Sequence, residues 1–260
     1  MARPIETLIR DLRLRRGRER RGLALAEGVR LVEEALAAGV PIRGAAVSPH
    51  LEASVRGGAL KAALTHATVP LTEIDDRALA QLAHTEQPQG VIAVIEPPRW
   101  TWDHLHAVPA AVVVALDGVQ DPGNVGTILR TAHALGAAGM VALKGTAELH
   151  NPKVIRGSMG ALFRLPAFSA TEDELVRWLA DHGVESWVAD ISGTPLSKQP
   201  IRRSGHPPLC LILGNEGAGV STALAGRARR RIAIPLAAGA ESLNVAVAAG
   251  ILLYEVLRER

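Results

Sequence analysis

The sequence is poor in aromatic residues and cysteine. Only 3% of its 260 residues are aromatic, and none occurs before Trp100. The part of the chain before Trp100 therefore cannot supply the aromatic platforms on which many RNA-binding modules stack bases. Because Cys210 is the only cysteine, an internal disulfide is excluded. Its place in the apolar stretch PLCLIL predicts a buried structural thiol.

Long apolar runs are also missing from the sequence. No stretch reaches the roughly 18 apolar residues that a membrane helix needs. Arginines interrupt the N-terminal region where a signal peptide would have its apolar core. We therefore expect a cytoplasmic protein without a membrane partner. A hydrophobic content of 48% in 260 residues is enough for one large α/β domain or two smaller ones.

Positive charge is concentrated near the N terminus. The formal net charge is only +3 and lysine is scarce, but seven arginines between residues 10 and 21 face only Asp11 and Glu19. Such a block is typical of a surface that contacts phosphate groups. The alternative interpretation is a solvated helix face in an arginine-rich protein.

A boundary between two domains is predicted at EPPRWTWDHLHAVPA (96–110), which combines prolines and tryptophans between apolar regions. The earlier region begins with the helical pattern EGVRLVEEALAAG (27–39) and predicts a small α/β sandwich. In the later region, uniformly apolar strands alternate with helices, which predicts a parallel sheet covered on both faces. We set the domains at 1–98 and 110–260, with a linker at 99–109.

The first motif is DPGNVGTILR (121–130). Pro122 and Gly123 predict a tight turn, after which Asn124 is expected to cap a helix. The free amides at such a helix start suit an anionic group. Arg130 follows on a mostly apolar helix, so its side chain either extends to solvent or projects into a site.

The second motif, LILGNEGAG (211–219), is an apolar strand that ends in glycines, an asparagine and a glutamate. The pattern places Glu216 at the rim of a parallel sheet, where ligands bind in such folds. The glycines allow a ligand to approach the backbone closely. Their G-x-x-G-x-G spacing differs from the dinucleotide-binding fingerprint, which disfavours a nicotinamide-dependent oxidoreductase.

The third motif is IPLAAGAESLNVAVAAG (234–250), in which a strand is followed by a loop of small residues and a helix. Ser242 is either a helix cap or a site residue. Asn244 precedes a strongly apolar segment and needs hydrogen-bonding partners there.

Taken together and in this order, NVGTILR, LGNEGAG and IPLAAGAESLNVAVAAG resemble the three signatures of the SpoU/TrmH family of RNA 2′-O-methyltransferases, in the SPOUT class. The resemblance includes HNPKVIRGSMGALFRLP (150–166). LALAEGVRLVEEAL and QPQGVIAVI are similar to the ribosomal-protein-like RNA-binding domain that many members carry. Nearly the whole chain is covered.

The resemblance implies a small N-terminal α/β RNA-binding domain and a C-terminal parallel-sheet α/β domain with a deep trefoil knot. It also implies the cofactor S-adenosylmethionine and a homodimer in which an arginine reaches the partner's cofactor. No metal is expected, because no cluster of metal-ligating residues is visible in the sequence. The expected cofactor-binding residues are Gly214, Asn215, Gly219, Ile234, Pro235, Leu236 and Leu243. The expected catalytic residues are Asn124, Arg130, Glu216, Ser242 and Asn244, with proton removal assisted by either Arg130 or Glu216. The expected RNA-binding residues are Arg10, Arg13, Arg16, Arg20, Lys153 and Arg156.

The implied function is methylation of a ribose 2′-hydroxyl in structured RNA. Ribosomal RNA is favoured over transfer RNA, because the N-terminal domain resembles ribosomal-protein-like recruiting domains. The alternatives are a tRNA-directed member of the family and a non-catalytic RNA-binding or ribosome-assembly protein on the same fold. The set of Arg130, Glu216, Ser242 and Asn244 favours an enzyme, since a binding module does not need all four.

Overall fold

The computed structural model describes residues 4–196, 205–238 and 240–258. The helices are α1 (Pro4–Leu12), α2 (Arg15–Arg21), α3 (Val29–Ala37), α4 (Val55–His66), α5 (Asp76–Leu82), α6 (Pro122–Ala134), α7 (Pro152–Ser158), α8 (Glu172–Asp181), α9 (Thr222–Arg227) and α10 (Val245–Leu257). The strands are β1 (Ala24–Glu27), β2 (Ile42–Val47), β3 (Leu71–Glu73), β4 (Val91–Ile95), β5 (Val112–Asp117), β6 (Gly139–Ala142), β7 (Ala167–Ser169), β8 (Glu185–Pro195), β9 (Leu209–Gly214) and β10 (Arg230–Ala233).

The chain divides into two compact units. The first unit comprises Met1–Pro98 and His150–Arg164, and the second comprises Arg99–Leu149 and Leu165–Arg260. Residues 150–164 therefore belong to the first unit, although the residues directly before and after them in the sequence belong to the second. The segment 99–109, which we expected to be a linker, belongs to the second unit.

The first unit is built around a four-stranded sheet in the order β1-β4-β2-β3. Strand β4 is antiparallel to both β1 and β2, and β2 is parallel to β3. Ile9 and Leu12 of α1 lie one helical turn apart and are fully buried. They join a core cluster with Leu25, Ala46, Ile74, Leu79, Leu82, Ala83, Ile92 and Val94.

The segment 150–164 is an integral part of this first unit. Helix α7 packs against β1. Arg164 forms an ion pair with Glu34 of α3 at 2.8 Å. Gly160 has φ = +88°, and a Cβ atom there would lie only 2.7 Å from Glu34 Cβ. A glycine is therefore required both by the left-handed backbone and by the close approach to α3.

The second unit contains a six-stranded sheet in the order β10-β8-β9-β5-β6-β7, in which every neighbouring pair is parallel. The predicted parallel-sheet α/β fold is confirmed. Strand β9 lies near the centre of the sheet, and Leu209–Leu213 are buried. Cys210 is fully buried there, and burial raises the pKa of its thiol to about 12. The prediction of a structural thiol is confirmed.

Residues 99–109 contribute to the core of the second unit. Trp102 stacks on Trp178, with ring centroids 5.4 Å apart, and meets Phe168 edge-on at 4.9 Å. Leu105 is 4% exposed and belongs with Trp178 to the apolar cluster against which Trp102 and Phe168 pack. Trp102 of the predicted boundary segment is thus used for packing within the second unit.

The division of the chain predicts that removal of residues 1–98 will damage more than the first unit. The deletion removes β1 and α3, against which residues 150–164 pack, so the buried side chains of Val154, Ile155, Leu162 and Phe163 lose that cover. We expect the truncated protein to bind a hydrophobic dye and to aggregate. Dye fluorescence and light scattering measure this.

The matched full-length variant Arg164→Ala removes a partly exposed ion pair with Glu34 and a long hydrogen bond to Gly160 O, and we expect a loss of at most about 1 kcal/mol of unfolding free energy. A truncated chain that stayed monodisperse without dye binding would show that residues 150–164 do not depend on the first unit.

Candidate active site

The first two motifs meet because their strands are neighbours in the sheet of the second unit. Asp117 at the end of β5 pairs with Gly214 at the end of β9. The parallel strands deliver the following residues to the same edge of the sheet. Asp117 Oδ2 also accepts a hydrogen bond from the Ser221 backbone amide at 2.8 Å, which ties the end of β5 to the residues after the second motif.

The second motif forms a tight turn fixed by Asn215. The backbone of Asn215 exchanges hydrogen bonds of 3.0 and 2.9 Å with that of Gly219. Its side-chain oxygen accepts from the amides of Gly217 and Ala218 at 2.9 Å each, and its side-chain nitrogen donates to Gly118 O at 2.9 Å. A Cβ atom on Gly214 would lie 2.1 Å from the carbonyl carbon of Gly219. The turn therefore requires glycine at position 214.

A chain of hydrogen bonds joins all three motifs. Asn124 Nδ2 donates to Glu216 Oε1 at 2.7 Å, and Asn244 Nδ2 donates to Asn124 Oδ1 at 3.0 Å. Asn244 Oδ1 in turn accepts from the backbone amides of Ala246 and Val247 at the start of α10. Asn124 and Glu216 are 92 residues apart in the sequence, so only the fold brings this polar set together.

One expectation about helix caps is wrong. Asp121, not Asn124, caps α6, because Pro122 occupies the first helical position and the Asp121 side chain accepts from the Asn124 amide at 2.8 Å. This frees the Asn124 side chain for Glu216. At α10 the cap is Asn244, so of the two roles considered for Ser242 the helix cap does not apply.

A cavity of about 470 Å³ lies beside this polar chain. The expected site residues among its lining are Gly214, Asn215, Glu216, Gly219, Ile234, Leu236, Ser242 and Leu243. Pro235 is not among them, although both of its neighbours are. One residue of the third motif, 239, lies outside the described residues.

Sequence reasoning missed two carboxylates in the lining of this cavity, those of Asp190 and Glu241. Asp190 Oδ1 accepts from the backbone amide and the hydroxyl of Ser192, both at 2.8 Å, and the backbone bond is the main cause of the lowered pKa of Asp190. Asp190 lies within β8, and its position after the apolar residues WVA could have indicated where the buried part of that strand ends. Together with Glu216, the cavity has three carboxylates and, among its described lining residues, no lysine, arginine or histidine.

Arg130 is exposed on α6. It is not among the described lining residues of the cavity, and within the described chain it makes no hydrogen bond to Glu216, Asn124 or Asn244. The structure therefore brings four of the five expected catalytic residues to the cavity or its polar chain and leaves Arg130 outside.

Three of the six expected RNA-binding side chains form hydrogen bonds or ion pairs with other residues of the first unit. Arg10 lies 3.6 Å from Glu6, Arg13 donates to Gln81 O at 2.9 Å, and Arg20 donates to both carboxylate oxygens of Asp11. In contrast, the side chains of the other three form no hydrogen bond or ion pair within the described ranges of the chain. These three are Arg16, Lys153 and Arg156.

The fold and the site define the class of the protein. Residues 111–254 match the model of the SpoU rRNA Methylase family, and residues 7–93 match the MRM3-like substrate binding domain. The first match covers more than half of the chain. The chain belongs to the SpoU rRNA methylase family, and the resemblance seen in its three motifs is confirmed.

Individual relatives agree with this membership. The chain is 37% identical to the 23S rRNA (guanosine(2553)-2′-O)-methyltransferase RlmP of Bacillus subtilis over 184 aligned residues. The alignment covers 70% of this chain and 71% of that protein. The chain is 33% identical over 256 residues to a 23S rRNA (uridine(2479)-2′-O)-methyltransferase of Streptomyces viridochromogenes, over 95% and 86% of the two chains. The crystal structure of an AdoMet-bound rRNA methyltransferase from Sinorhizobium meliloti superposes with a TM-score of 0.85 at 31% identity, covering 98% of this chain and 94% of that one.

The close approach at Gly214 predicts a large difference between two glycines of the same turn. Gly214→Ala forces a Cβ atom into the backbone of Gly219, so we expect a loss of about 1–3 kcal/mol of unfolding free energy. Gly217→Ala is the matched control, because its Cβ would lie 3.6 Å from Asn215 Oδ1, an ordinary contact, and its effect should stay within about 0.5 kcal/mol. Chemical denaturation measures both, and equal losses would contradict the assigned role of Gly214.

The cap assignment at α10 gives a second prediction. Asn244→Ala removes the cap and should cost about 1 kcal/mol of unfolding free energy, whereas Asn244→Asp keeps an oxygen that accepts from Ala246 and should preserve most of it. Ser242→Ala serves as the control and should leave stability unchanged. If Ser242→Ala destabilised the protein as much as Asn244→Ala, Ser242 would be the cap.

Proposed function

We propose that the protein transfers a methyl group from S-adenosylmethionine to a ribose 2′-hydroxyl of ribosomal RNA. The observation that carries the proposal is the hydrogen-bonded chain from Glu216 through Asn124 to Asn244 beside a ligand-sized cavity. The choice of ribosomal RNA is supported by the names of the relatives and by the substrate-binding domain that matches residues 7–93. The proposal places the enzyme in the cytoplasm and requires no metal.

The cavity residues fit the proposed cofactor. A volume of about 470 Å³ suits a nucleoside-sized ligand. Leu213, Ile234 and Leu243 offer apolar surface for an adenine ring, and the 214–219 turn offers backbone groups. The carboxylates of Glu216 and Glu241 suit a ligand that carries a sulfonium and an ammonium group, whereas Asp190 already lies 3.6 Å from Arg231. When bound, S-adenosylmethionine supplies an activated methyl group, and the electron pair of the broken carbon–sulfur bond stays on the sulfur.

Glu216 is the proposed proton acceptor. Its carboxylate lines the cavity and has one oxygen fixed by Asn124, so it is oriented to take the proton of a 2′-hydroxyl as the oxygen–methyl bond forms. Asn124 and Asn244 are positioning residues, since they hold Glu216 from the capped start of α10. Ser242 lines the same cavity and can donate a hydrogen bond to the substrate or the cofactor.

Arg130 is proposed to clamp the RNA phosphate next to the reacting ribose. A guanidinium remains protonated in proteins, so it cannot serve as the base, but it binds phosphate with paired hydrogen bonds. Such a contact positions the 2′-hydroxyl and offsets the negative charge that develops on its oxygen.

A homodimer would bring Arg130 to a site that it does not line in its own chain. Helix α10 packs against α6 and exposes an apolar stripe at helical spacing, formed by Val247, Ile251 and Tyr254, which are 51%, 39% and 56% exposed. A second copy of the chain would cover this stripe isologously. We propose that Arg130 of each subunit then completes the cavity of its partner, as the resemblance implies.

The proposed RNA contacts of the first unit rest on its cations, including all six predicted from the sequence. Arg16, Lys153 and Arg156 are available for phosphate, while Arg10, Arg13 and Arg20 would have to share their internal partners. Burial and then the charge of Arg13 lower the pKa of His84, with a smaller effect from Arg156. The charges of Arg13 and Arg156 therefore act on the same side chain of the first unit, that of His84.

A non-catalytic RNA-binding protein on the same fold is the second candidate. It is less favoured, because such a protein would not need the Glu216–Asn124–Asn244 arrangement next to a cavity. Incubation with labelled S-adenosylmethionine and total ribosomal RNA tests the choice. We expect label on a ribose 2′-oxygen; label on a base would contradict the proposed reaction, and failure to bind the cofactor in calorimetry would favour the second candidate.

Arg130→Ala should reduce methyl transfer at least about 100-fold, the loss typical of removing one preorganised donor to a developing oxyanion. Cofactor affinity should stay within about two-fold, because the proposed partner of Arg130 is the RNA phosphate and not the cofactor. Arg130→Lys keeps the charge but not the paired donors and should recover only part of the rate. Single-turnover methylation and calorimetry measure these effects. Parallel loss of rate and cofactor binding would make Arg130 structural.

Mixed dimers test whether Arg130 acts across the interface. In this test an Arg130→Ala chain is co-expressed with a Glu216→Gln chain, and the heterodimer is isolated by two affinity tags. If the arginine acts in the partner's site, one cavity of the heterodimer regains both groups, and about half of the wild-type activity should return. A heterodimer as inactive as both parents would contradict the exchange of Arg130.

A further inference from the structure

The first unit contains a cavity of its own, separate from the site described above. It has a volume of about 530 Å³ and lies where the ends of three loops meet. The start of α3, the turn Pro49–Ala53 with the start of α4, and the loop before β4 supply its walls. Its lining residues are Val29, Arg30, His50, Ala53, Ser54, Arg56 and Gln89.

Three backbone amides at or next to this cavity already have partners within the chain. Gln89 Oε1 accepts from the Val29 amide at 2.9 Å, and Ser54 Oγ accepts from the Gly57 amide at 3.0 Å. The amide of His50 donates to Asp76 Oδ1 at 3.1 Å. These bonds shape the cavity, and the capacity to bind a ligand lies in its side chains.

Two arginines differ in how firmly they are held at the cavity. Arg56 donates from Nε to Glu33 at 2.8 Å and also from Nη2, which fixes its guanidinium plane and partly offsets its charge. Arg30 is exposed, and its guanidinium forms no hydrogen bond or ion pair in the portion of the chain that the structure describes. Arg30 is therefore the cation whose charge is free to attract an anion.

We propose that this cavity, termed the Arg30 cleft, binds the phosphodiester backbone of the RNA substrate. The inference rests on the proposed function and adds a binding site for that substrate. Guanidinium groups recognise phosphate oxygens through paired donors, and an exposed imidazole adds a third polar contact. Recognition of the backbone also agrees with the absence of aromatic residues before Trp100, which leaves that part of the unit without base-stacking platforms.

An exposed apolar residue supports a nucleic-acid ligand over a free inorganic ion. Val55 lies between two lining residues, Ser54 and Arg56, and is 95% exposed. A ribose next to a bound phosphate would contact such a side chain, whereas an isolated phosphate ion would gain nothing from it. The cleft also differs from the arginine block of α1 and α2, where Arg20 and Arg21 are engaged with Asp11.

The test uses the full-length protein with Arg30→Gln, Arg56→Gln and the double variant. Arg43→Gln is the matched control, because Arg43 pairs with a glutamate as Arg56 does, lies on β2 and is not among the residues of the cleft. Binding of end-labelled fragments of bacterial ribosomal RNA is measured by filter binding over a range of salt concentrations. Thermal unfolding of each variant checks that the fold is retained.

We expect Arg30→Gln to weaken RNA binding several-fold and to reduce the slope of log affinity against log salt by about 0.7–0.9, the value for one lost phosphate contact. Arg56→Gln should have a smaller effect, because Glu33 already shares its charge, and the double variant should exceed either single one. Arg43→Gln should match the wild type.

Wild-type affinity and slope in the folded double variant would overturn the Arg30 cleft, as would an equal loss in Arg43→Gln. A loss of affinity without a change in slope would also overturn it, since the contact would not be electrostatic. Cofactor binding and methyl transfer by the wild type are measured in parallel. Failure there would reject the proposed function and leave the comparison of RNA affinities interpretable on its own.

Discussion

Asn124 uses both ends of its side-chain amide, donating to Glu216 at 2.7 Å and accepting from Asn244 at 3.0 Å. A carboxylate can only accept, so Glu216 decides which end of the Asn124 amide faces it. Asn244 must then present its nitrogen to Asn124, which leaves its oxygen for the first amides of α10. The direction of every bond in the chain is thus set from one end by the carboxylate and from the other by the helix.

This polar chain depends on the close approach of backbone at the edge of the sheet. The pairing of Asp117 with Gly214 and the tight turn closed by Asn215 and Gly219 place Glu216 opposite the start of α6. A side chain at position 214 would push the turn away from β9 and break the alignment. The small residue and the polar set are therefore parts of one geometric requirement of this SpoU-family site.

The arginines of the first unit show how charge is divided between folding and binding. Arg18 is 5% exposed and donates to the carbonyl oxygens of Leu12 and Arg13, so it closes the turn between α1 and α2. Asp11 binds both Arg20 and Arg21, and these bonds lower its pKa. Much of the conspicuous basic block thus stabilises the fold, and the cations available for RNA include residues outside it.

Some features of the site were predictable because they depend on local chemistry. An apolar run that ends in glycines predicted a central parallel strand with Glu216 at its rim, and the structure has β9 there. A cysteine inside that run was correctly expected to be buried. The cap of α6 was predicted three residues too late, because Asp121 and Asn124 are both good caps and only the helix start at Pro122 decides between them.

The sequence by itself determined the family, the parallel sheet and eight of the residues that line the cavity, because short motifs and apolar periodicity record them directly. Only the tertiary structure decided that residues 150–164 complete the first unit, that Asp190 and Glu241 line the cavity, and that Arg130 lies outside it in its own chain. These outcomes depend on which distant surfaces meet. The physical reason is that burial and hydrogen bonding between segments many residues apart are set by packing, which no local pattern encodes.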